Sequence, residues 1–178
     1  NSSIYKRNAV IKLLCLDVDG TLTDGKLHFS FDINLGKSYE IMKSFSVKDG
    51  LGIAYWNKMG RSVAIITGRN SPIIEHRAKE IGISYVFMGI KDKGKCVREL
   101  QQKLNIDSSA CAAIGDDLND ISMFNEVALK FAPNDCVNEI SNIAIKLNNN
   151  GGDGAIRETI EYILKQEDMY EEFIKYWK

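Results

Sequence analysis

The stretch Ile11-Lys-Leu-Leu-Cys-Leu-Asp17-Val-Asp19-Gly-Thr-Leu-Thr23 decides the fold. Its first six residues form a short apolar run, too brief for a buried helix and suited to a strand covered on both faces. The run stops at Asp17, and Gly20 marks a turn directly after it. The same design, an apolar run followed by a polar tail, recurs along the chain. Ser62–Ile66 leads into Thr67-Gly-Arg69, Ser84–Phe87 precedes Lys91-Asp-Lys93, and Ala110–Ile114 leads into Gly115-Asp-Asp-Leu-Asn-Asp120. Ala128–Phe131 is a weaker candidate, and Ile143–Ile145 a last short one.

Helical patterns separate these runs. Asp49–Lys58 is apolar on one face, Ser71-Pro72 reads as an N-cap with proline at the first helical position, and Lys95–Leu104 spaces Val97, Leu100 and Leu104 for a helix. Asn119–Val127 follows the fourth run. Strand and helix in alternation imply right-handed parallel units, hence an open, doubly wound α/β sheet with helices on both faces. One segment breaks the rhythm. Lys26–Met42 alternates around Asn34-Leu-Gly36, which predicts an inserted β-hairpin whose apolar side (Leu27, Phe29, Phe31, Tyr39, Ile41) needs a partner. That partner is a neighbouring subunit or, in the alternative, the hairpin's own sheet. Ala155–Ile174 predicts a single helix with Ile156, Ile160, Ile163 and Leu164 on one stripe.

The 178 residues suit one domain, residues 1–178, with a sizeable core. A hydrophobic fraction of 44% with a net charge of −1 excludes a disordered chain, and the same charge denies a non-specific nucleic-acid binder its basic surface. No run approaches the ~20 apolar residues of a membrane span, and Asn1–Asn8 is polar, unlike a secretory leader. Four scattered cysteines without a C-x-x-C pair, and only two histidines, argue against zinc and for a reducing compartment. The expectation is a cytoplasmic protein with no membrane or nucleic-acid partner.

In open α/β sheets ligands bind beyond the carboxyl ends of the strands. Those ends carry Asp17 and Asp19, then Thr67 and Arg69, then Lys93, then Asp116 and Asp120. On a continuing strand, Asp17 and Asp19 would point the same way and repel unless a cation joins them or one is protonated. An oxygen-rich cluster without histidine or cysteine selects a hard divalent ion, and Mg²⁺ is the natural choice. Thr67 and Lys93 add donors that a phosphate can use. Each motif alone is an ordinary turn or helix start; in this order, each beyond a buried strand, they describe phosphoryl transfer.

The four segments resemble the four motifs of the haloacid dehalogenase superfamily of phosphatases, whose fold is Rossmann-like. Ser44–Ile53 and Gly151–Glu158 are similar to the corresponding stretches of the 3-deoxy-D-manno-octulosonate 8-phosphate phosphatases, cytoplasmic enzymes of lipopolysaccharide sugar synthesis. The resemblance implies Asp17 as nucleophile, Asp19 as general acid and base, and Thr67 and Lys93 on the transferring phosphoryl group. It implies Mg²⁺ on Asp17, the Asp19 backbone carbonyl and Asp116, with Asp120 behind them orienting Lys93 or a metal water. It assigns the substrate sugar acid to Asp19, Ser46, Val47, Lys48, Asp49, Gly50, Arg69, Arg77 and Lys93. Lys48 stands where octulosonate enzymes commonly have arginine, and Asp153 where many have a basic residue. Two relatives of other character share the pattern: phosphatases of nine-carbon nonulosonate 9-phosphates, and non-catalytic assembly modules, against which the intact Asp17, Asp19, Lys93 and Asp116 argue. The intervals between motifs leave no room for a cap domain, so the resemblance implies a homotetramer, built through the hairpin, in which neighbours complete each site.

Overall fold

The computed structural model describes residues 9–178. The expectation about Asn1–Asn8 lies outside them. Among the described residues, six strands form one parallel sheet in the order β5-β4-β1-β6-β7-β8. They are β1 (Leu13–Leu16), β4 (Ser62–Ile66), β5 (Tyr85–Phe87), β6 (Cys111–Ile114), β7 (Leu129–Ala132) and β8 (Ile145–Lys146). All six coincide, within a residue or two, with the apolar runs.

Alternation along the central strands builds two cores, one on each face of the sheet. Leu14 and Leu16 of β1, Val63 and Ile65 of β4, and Ala112 and Ile114 of β6 share one core with α1 (Val47–Lys58), α2 (Pro72–Glu80) and α6 (Ala155–Gln166). Leu13 and Cys15, Ala64 and Ile66, and Cys111 and Ala113 share the other with α3 (Lys93–Leu104), α4 (Ile121–Phe124) and α5 (Asn138–Ser141). Strands buried on both faces explain why they read as unbroken apolar runs. The four cysteines are free, three of them buried. Among the described residues, no helix is long and apolar enough to cross a membrane.

The hairpin forms, as β2 (His28–Asp32) and β3 (Lys37–Met42), but as a separate antiparallel pair and not on the main sheet. Its outward residues are strongly exposed, with Phe31 at 64% and Ile33 at 83%. Between β1 and β4 the chain holds only the tight turn at Val18–Leu22, this hairpin and α1, and between β4 and α3 only α2 and β5.

Three local expectations are corrected. The single helix over 155–174 is two: α6 ends at Gln166, Asp168 turns left-handed at φ 57°, and α7 (Tyr170–Tyr176) folds back. That break lets Phe173 bury completely against Tyr55 of α1, with ring centroids 4.9 Å apart. The stripe of Ile156, Ile160, Ile163 and Leu164 is buried as expected. The helix expected over 119–127 is one short turn at 118–120 followed by the four-residue α4. Ser71 does precede α2, with Pro72 at its first position, but its hydroxyl does not cap the helix. It donates instead to Glu40 Oε1 of β3 at 2.8 Å, tying α2 to the hairpin.

Candidate active site

The carboxyl ends of β1, β4 and β6 enclose a cavity of about 170 Å³ lined by Asp17, Asp19, Thr67, Gly68, Arg69, Asp116, Asp117 and Asn119. Asp17 directly follows β1, and its backbone N–H donates to the Ile114 carbonyl at 3.1 Å, so the parallel register places it beside the end of β6. Thr67 is pinned between neighbours: its N–H donates to the Phe87 carbonyl, and its carbonyl accepts from the Ile90 N–H. Both residues are nearly buried.

Lys93 opens α3 beneath this cavity. Asp92 caps the helix by accepting the Lys95 N–H at 3.0 Å, which starts α3 two residues before the expected Lys95. The Lys93 side chain is 1% exposed, and its ammonium lies 2.7 Å from both Asp17 Oδ1 and Asp120 Oδ1. The other oxygen of Asp120 accepts the N–H groups of Asp116 at 2.9 Å and Asp117 at 3.2 Å. Asp120 thus ties Lys93 to the backbone of the 115–120 loop.

Charge in this pocket is finely opposed. Burial pushes the Asp17 carboxyl up to about 7, with Lys93 pulling it back and Asp116 adding to the rise. Burial, with the charge of Asp17, lifts Asp120 to about 6, and burial also raises Asp116. For Lys93, burial opposes the ammonium, but the charges of Asp17 and Asp120 win and hold it above the usual lysine range. One ammonium thus serves a site with three carboxylates, and a further cation is what would let all three ionise. Ligand oxygens of Asp17, Asp116 and Asp120 lie within 4.8 Å of one another, so the group can hold a metal. Thr21 steadies it, donating toward Asp116 Oδ1 at 3.2 Å.

The expected crowding of Asp17 with Asp19 does not occur. The strand ends at Leu16, and residues 18–22 wind into a tight turn in which Gly20 takes φ 86°. The Asp19 carboxylate is thereby directed to Lys43, whose ammonium donates to Oδ1 at 2.8 Å. Asp116, not Asp19, is the carboxylate that crowds Asp17.

Of the residues assigned to the sugar acid, Asp19 and Arg69 line the cavity and Lys93 lies beneath it. The guanidinium of Arg69 lies 3.8 Å from Asp19 Oδ2 and 3.7 Å from Glu40 Oε2. Ser46, Val47, Lys48, Asp49, Gly50 and Arg77 are not among the lining residues. Ser46 is the N-cap of α1, accepting the Lys48 N–H, and Val47 and Lys48 are exposed. Asp49 is buried, its carboxylate accepting the Arg157 N–H of α6 at 2.9 Å. Arg77, on α2, pairs with Glu80 at 3.0 Å beside Gly50. The stretch Gly151–Glu158 does reach the site: the Gly152 N–H donates to the Thr21 carbonyl at 3.0 Å, bracing the turn after Asp17.

Sequence reasoning missed Thr21, Glu40, Lys43 and Asn119. A signal existed for two of them. Glu40 and Lys43 carry opposite charges three residues apart at the foot of the hairpin.

A family model for haloacid dehalogenase-like hydrolases matches residues 35–127. The 3-deoxy-D-manno-octulosonate 8-phosphate phosphatase of Haemophilus influenzae is 37% identical over 158 residues, spanning 88% of this chain and 84% of that protein. Among solved structures, the corresponding phosphatase of Moraxella catarrhalis, in complex with magnesium, phosphate and KDO, superposes with a TM-score of 0.85 at 37% identity over 94% of each chain. The cobalt-bound Haemophilus influenzae enzyme superposes with a TM-score of 0.82 at 36% identity, over 90% of this chain and 91% of that one. The chain belongs to the haloacid dehalogenase-like hydrolases, and within them to the phosphatases that these relatives represent.

Proposed function

We propose that this phosphatase hydrolyses 3-deoxy-D-manno-octulosonate 8-phosphate to KDO and phosphate, in lipopolysaccharide precursor synthesis, with Mg²⁺ as its metal. The observation that carries the reaction is Lys93, buried and shared at 2.7 Å between Asp17 and Asp120, with Asp116 beside them at the mouth of the sheet. The substrate rests on the likeness to a KDO-bound relative at 37% identity, and on Arg69 at the cavity wall, whose guanidinium suits a sugar-acid carboxylate.

The donor set fits the metal. It is all oxygen, as a hard divalent ion prefers, and burial with the nearby Asp116 raises the Asp17 carboxyl, so a cation bound there would favour its ionised form. The Asp17 and Asp116 carboxylates and the Asp19 main-chain carbonyl would hold the ion. When bound, Mg²⁺ offsets the repulsion between these carboxylates and a phosphate dianion.

In this reading Asp17 attacks phosphorus in line, and an aspartyl-phosphate forms as the sugar oxygen departs. Asp19 protonates that oxygen, then removes a proton from the water that hydrolyses the intermediate. Thr67 and Lys93 hold the phosphoryl oxygens while charge spreads over them. Asp120 keeps Lys93 aimed. Asp19→Asn should retain Mg²⁺ binding by calorimetry, since its ligand is a carbonyl, whereas Asp116→Ala should lose it.

With only the hairpin between the first motif and α1, the monomer's cavity is open. A homotetramer through the exposed hairpin faces would cover it, and an active monomer by sedimentation would refute that assembly. The cytoplasmic placement rests on four unpaired cysteines. The decisive experiment ranks kcat/KM for octulosonate 8-phosphate, nonulosonate 9-phosphates and phosphopeptides, with and without Mg²⁺. A higher value for a nine-carbon substrate would overturn the assignment.

A further inference from the structure

Lys43 follows directly after β3, and the reaction scheme above does not use it. Its side chain is only 1% exposed, a rare state for a lysine unless it is paired. The ammonium donates to Asp19 Oδ1 at 2.8 Å and lies 3.0 Å from Glu40 Oε2. Glu40 is fixed in turn by the Ser71 hydroxyl at 2.8 Å, at the head of α2. The chain Ser71–Glu40–Lys43–Asp19 thus runs from α2 through the foot of the hairpin to the turn after β1. Arg69 approaches the same two carboxylates at 3.8 and 3.7 Å, beyond hydrogen-bond range, and its side chain is 47% exposed. Arg69 is free to meet a ligand; Lys43 is not.

We propose that Lys43, steadied by Glu40, is the positioning residue for Asp19. Holding Oδ1 fixes the carboxyl group in one rotamer and leaves Oδ2 on the side of Arg69 and the cavity. A side chain that transfers a proton must sit within hydrogen-bond reach of the atom it serves, so a wandering carboxyl loses rate without losing substrate affinity. Lys43 is too buried to contact substrate and acts only through Asp19. This inference rests on the reading of Asp19 as acid and base: it gives its proton to the leaving oxygen as the P–O bond breaks with its electron pair, and recovers one from water as the new O–P bond forms.

The consequence is a dependence on leaving group. An alkyl phosphate expels a basic alkoxide that needs the proton, whereas p-nitrophenyl phosphate expels an anion stable without it. Lys43→Met should lower kcat/KM for an alkyl phosphate by about 10–100-fold, a share of the 10²–10⁴ that acid–base catalysis supplies. For p-nitrophenyl phosphate the loss should stay below about threefold, because that departure draws little on the acid. KM for the alkyl phosphate should change little. For p-nitrophenyl phosphate kcat and KM should fall together, because hydrolysis of the aspartyl-phosphate also draws on Asp19. Lys43→Arg should recover most of the loss, and Glu40→Gln should show a weaker form of the same selectivity. If Lys43→Met does not fold, Lys43→Arg and Glu40→Gln decide the matter by the same ratio. Asp19→Asn separates the two ideas. If it is selective against the alkyl phosphate but the Lys43 and Glu40 variants lose both substrates equally, the positioning role is refuted and Asp19 stands. If Asp19→Asn itself shows no selectivity, the acid–base reading of Asp19 is what fails.

Discussion

The Asp49 carboxylate, on α1, accepts the backbone N–H of Arg157 at 2.9 Å and so caps the N-terminus of α6, 108 residues away in sequence. Gly154, the residue before α6, brings no side chain to cap it, so the first-turn N–H groups take an acceptor from another helix. The two helices meet closely here, because a side chain at Gly52 would press on Arg157 and Ile160. The 151–154 loop that leads into α6 also braces the turn after Asp17 through the Gly152 N–H, while Asp49 itself does not line the cavity.

This position has a pH signature. Burial lifts the Asp49 carboxyl from 3.8 to about 6, although the N–H groups of Arg157 and Ile156 oppose the rise. A folded-state value above the unfolded one means stability that is present in acid and lost as pH climbs from about 4 through 6. The difference should reach about 3 kcal/mol. Asp49→Asn keeps an acceptor and cannot ionise, so urea unfolding should show that fall diminished by most of this amount between pH 4 and 7. Asp49→Ala, which orphans the α6 N–H groups, should be less stable than Asp49→Asn by about 1 kcal/mol.

Lys93 stands between two buried carboxylates, so removing it leaves both without a cation. Lys93→Met preserves the volume and should cost about 3–5 kcal/mol in denaturant unfolding at pH 8. Turnover should fall by about 10³ or more, through the loss of a preorganised cation. In a double-mutant cycle, Lys93→Met with Asp120→Asn should cost at least about 1 kcal/mol less than the sum of the single changes, because the second removes one stranded charge. Additive costs would mean that Lys93 and Asp120 do not support each other.

The sheet and the ends of its strands were legible because parallel strands buried on both faces leave unbroken apolar runs, and the ligand side of such a sheet follows from chain direction. Asp17, Thr67 and Asp116 converge for that reason. What stayed hidden depends on contacts between distant elements. The pairing of Asp19 with Lys43 requires knowing where the hairpin is rooted, and period-two alternation says nothing of that. Ser71 carries a cap signature, yet its hydroxyl prefers Glu40, a partner 31 residues earlier. Only the family resemblance assigns the Asp49 carboxylate to the substrate, and its cap contact with α6 leaves no local trace in the sequence. The break at Asp168 carries neither proline nor glycine, so the pattern over 155–174 ran straight through it.

Metal affinity should follow the protonation of Asp17. Burial holds its carboxyl at about 7 in the metal-free protein, so it contributes stability in acid that fades as pH rises from about 4 to 7. An ion must displace that proton, and Mg²⁺ should bind about a hundredfold more weakly at pH 5 than at pH 8. At pH 8, Mg²⁺ at a hundred times its Kd should add about 3 kcal/mol of stability, and chelation should remove it. Thermal unfolding with and without Mg²⁺ across this range checks both; a gain in stability independent of pH would place the ion on other ligands.

Gly20 is where the metal site and the backbone meet. It holds φ 86°, and a Cβ built on it would fall within the Asp116 carboxylate. Gly20→Ala therefore carries two penalties, left-handed strain of about 1–2 kcal/mol and displacement of Asp116 from its place beside Asp17 and Thr21. Gly36, in the hairpin turn, isolates the first penalty, since it also has positive φ (61°) but a Cβ there would meet nothing within 4 Å. Gly36→Ala should lower the unfolding temperature by a few degrees, as expected for about 1–2 kcal/mol, and leave Mg²⁺ half-saturation unchanged. Gly20→Ala should lower stability by at least as much and raise the Mg²⁺ concentration for half-maximal activity at least about tenfold, the equivalent of 1.4 kcal/mol of lost metal binding. Equal metal requirements in the two variants would show that Asp116 can move aside and still hold the ion.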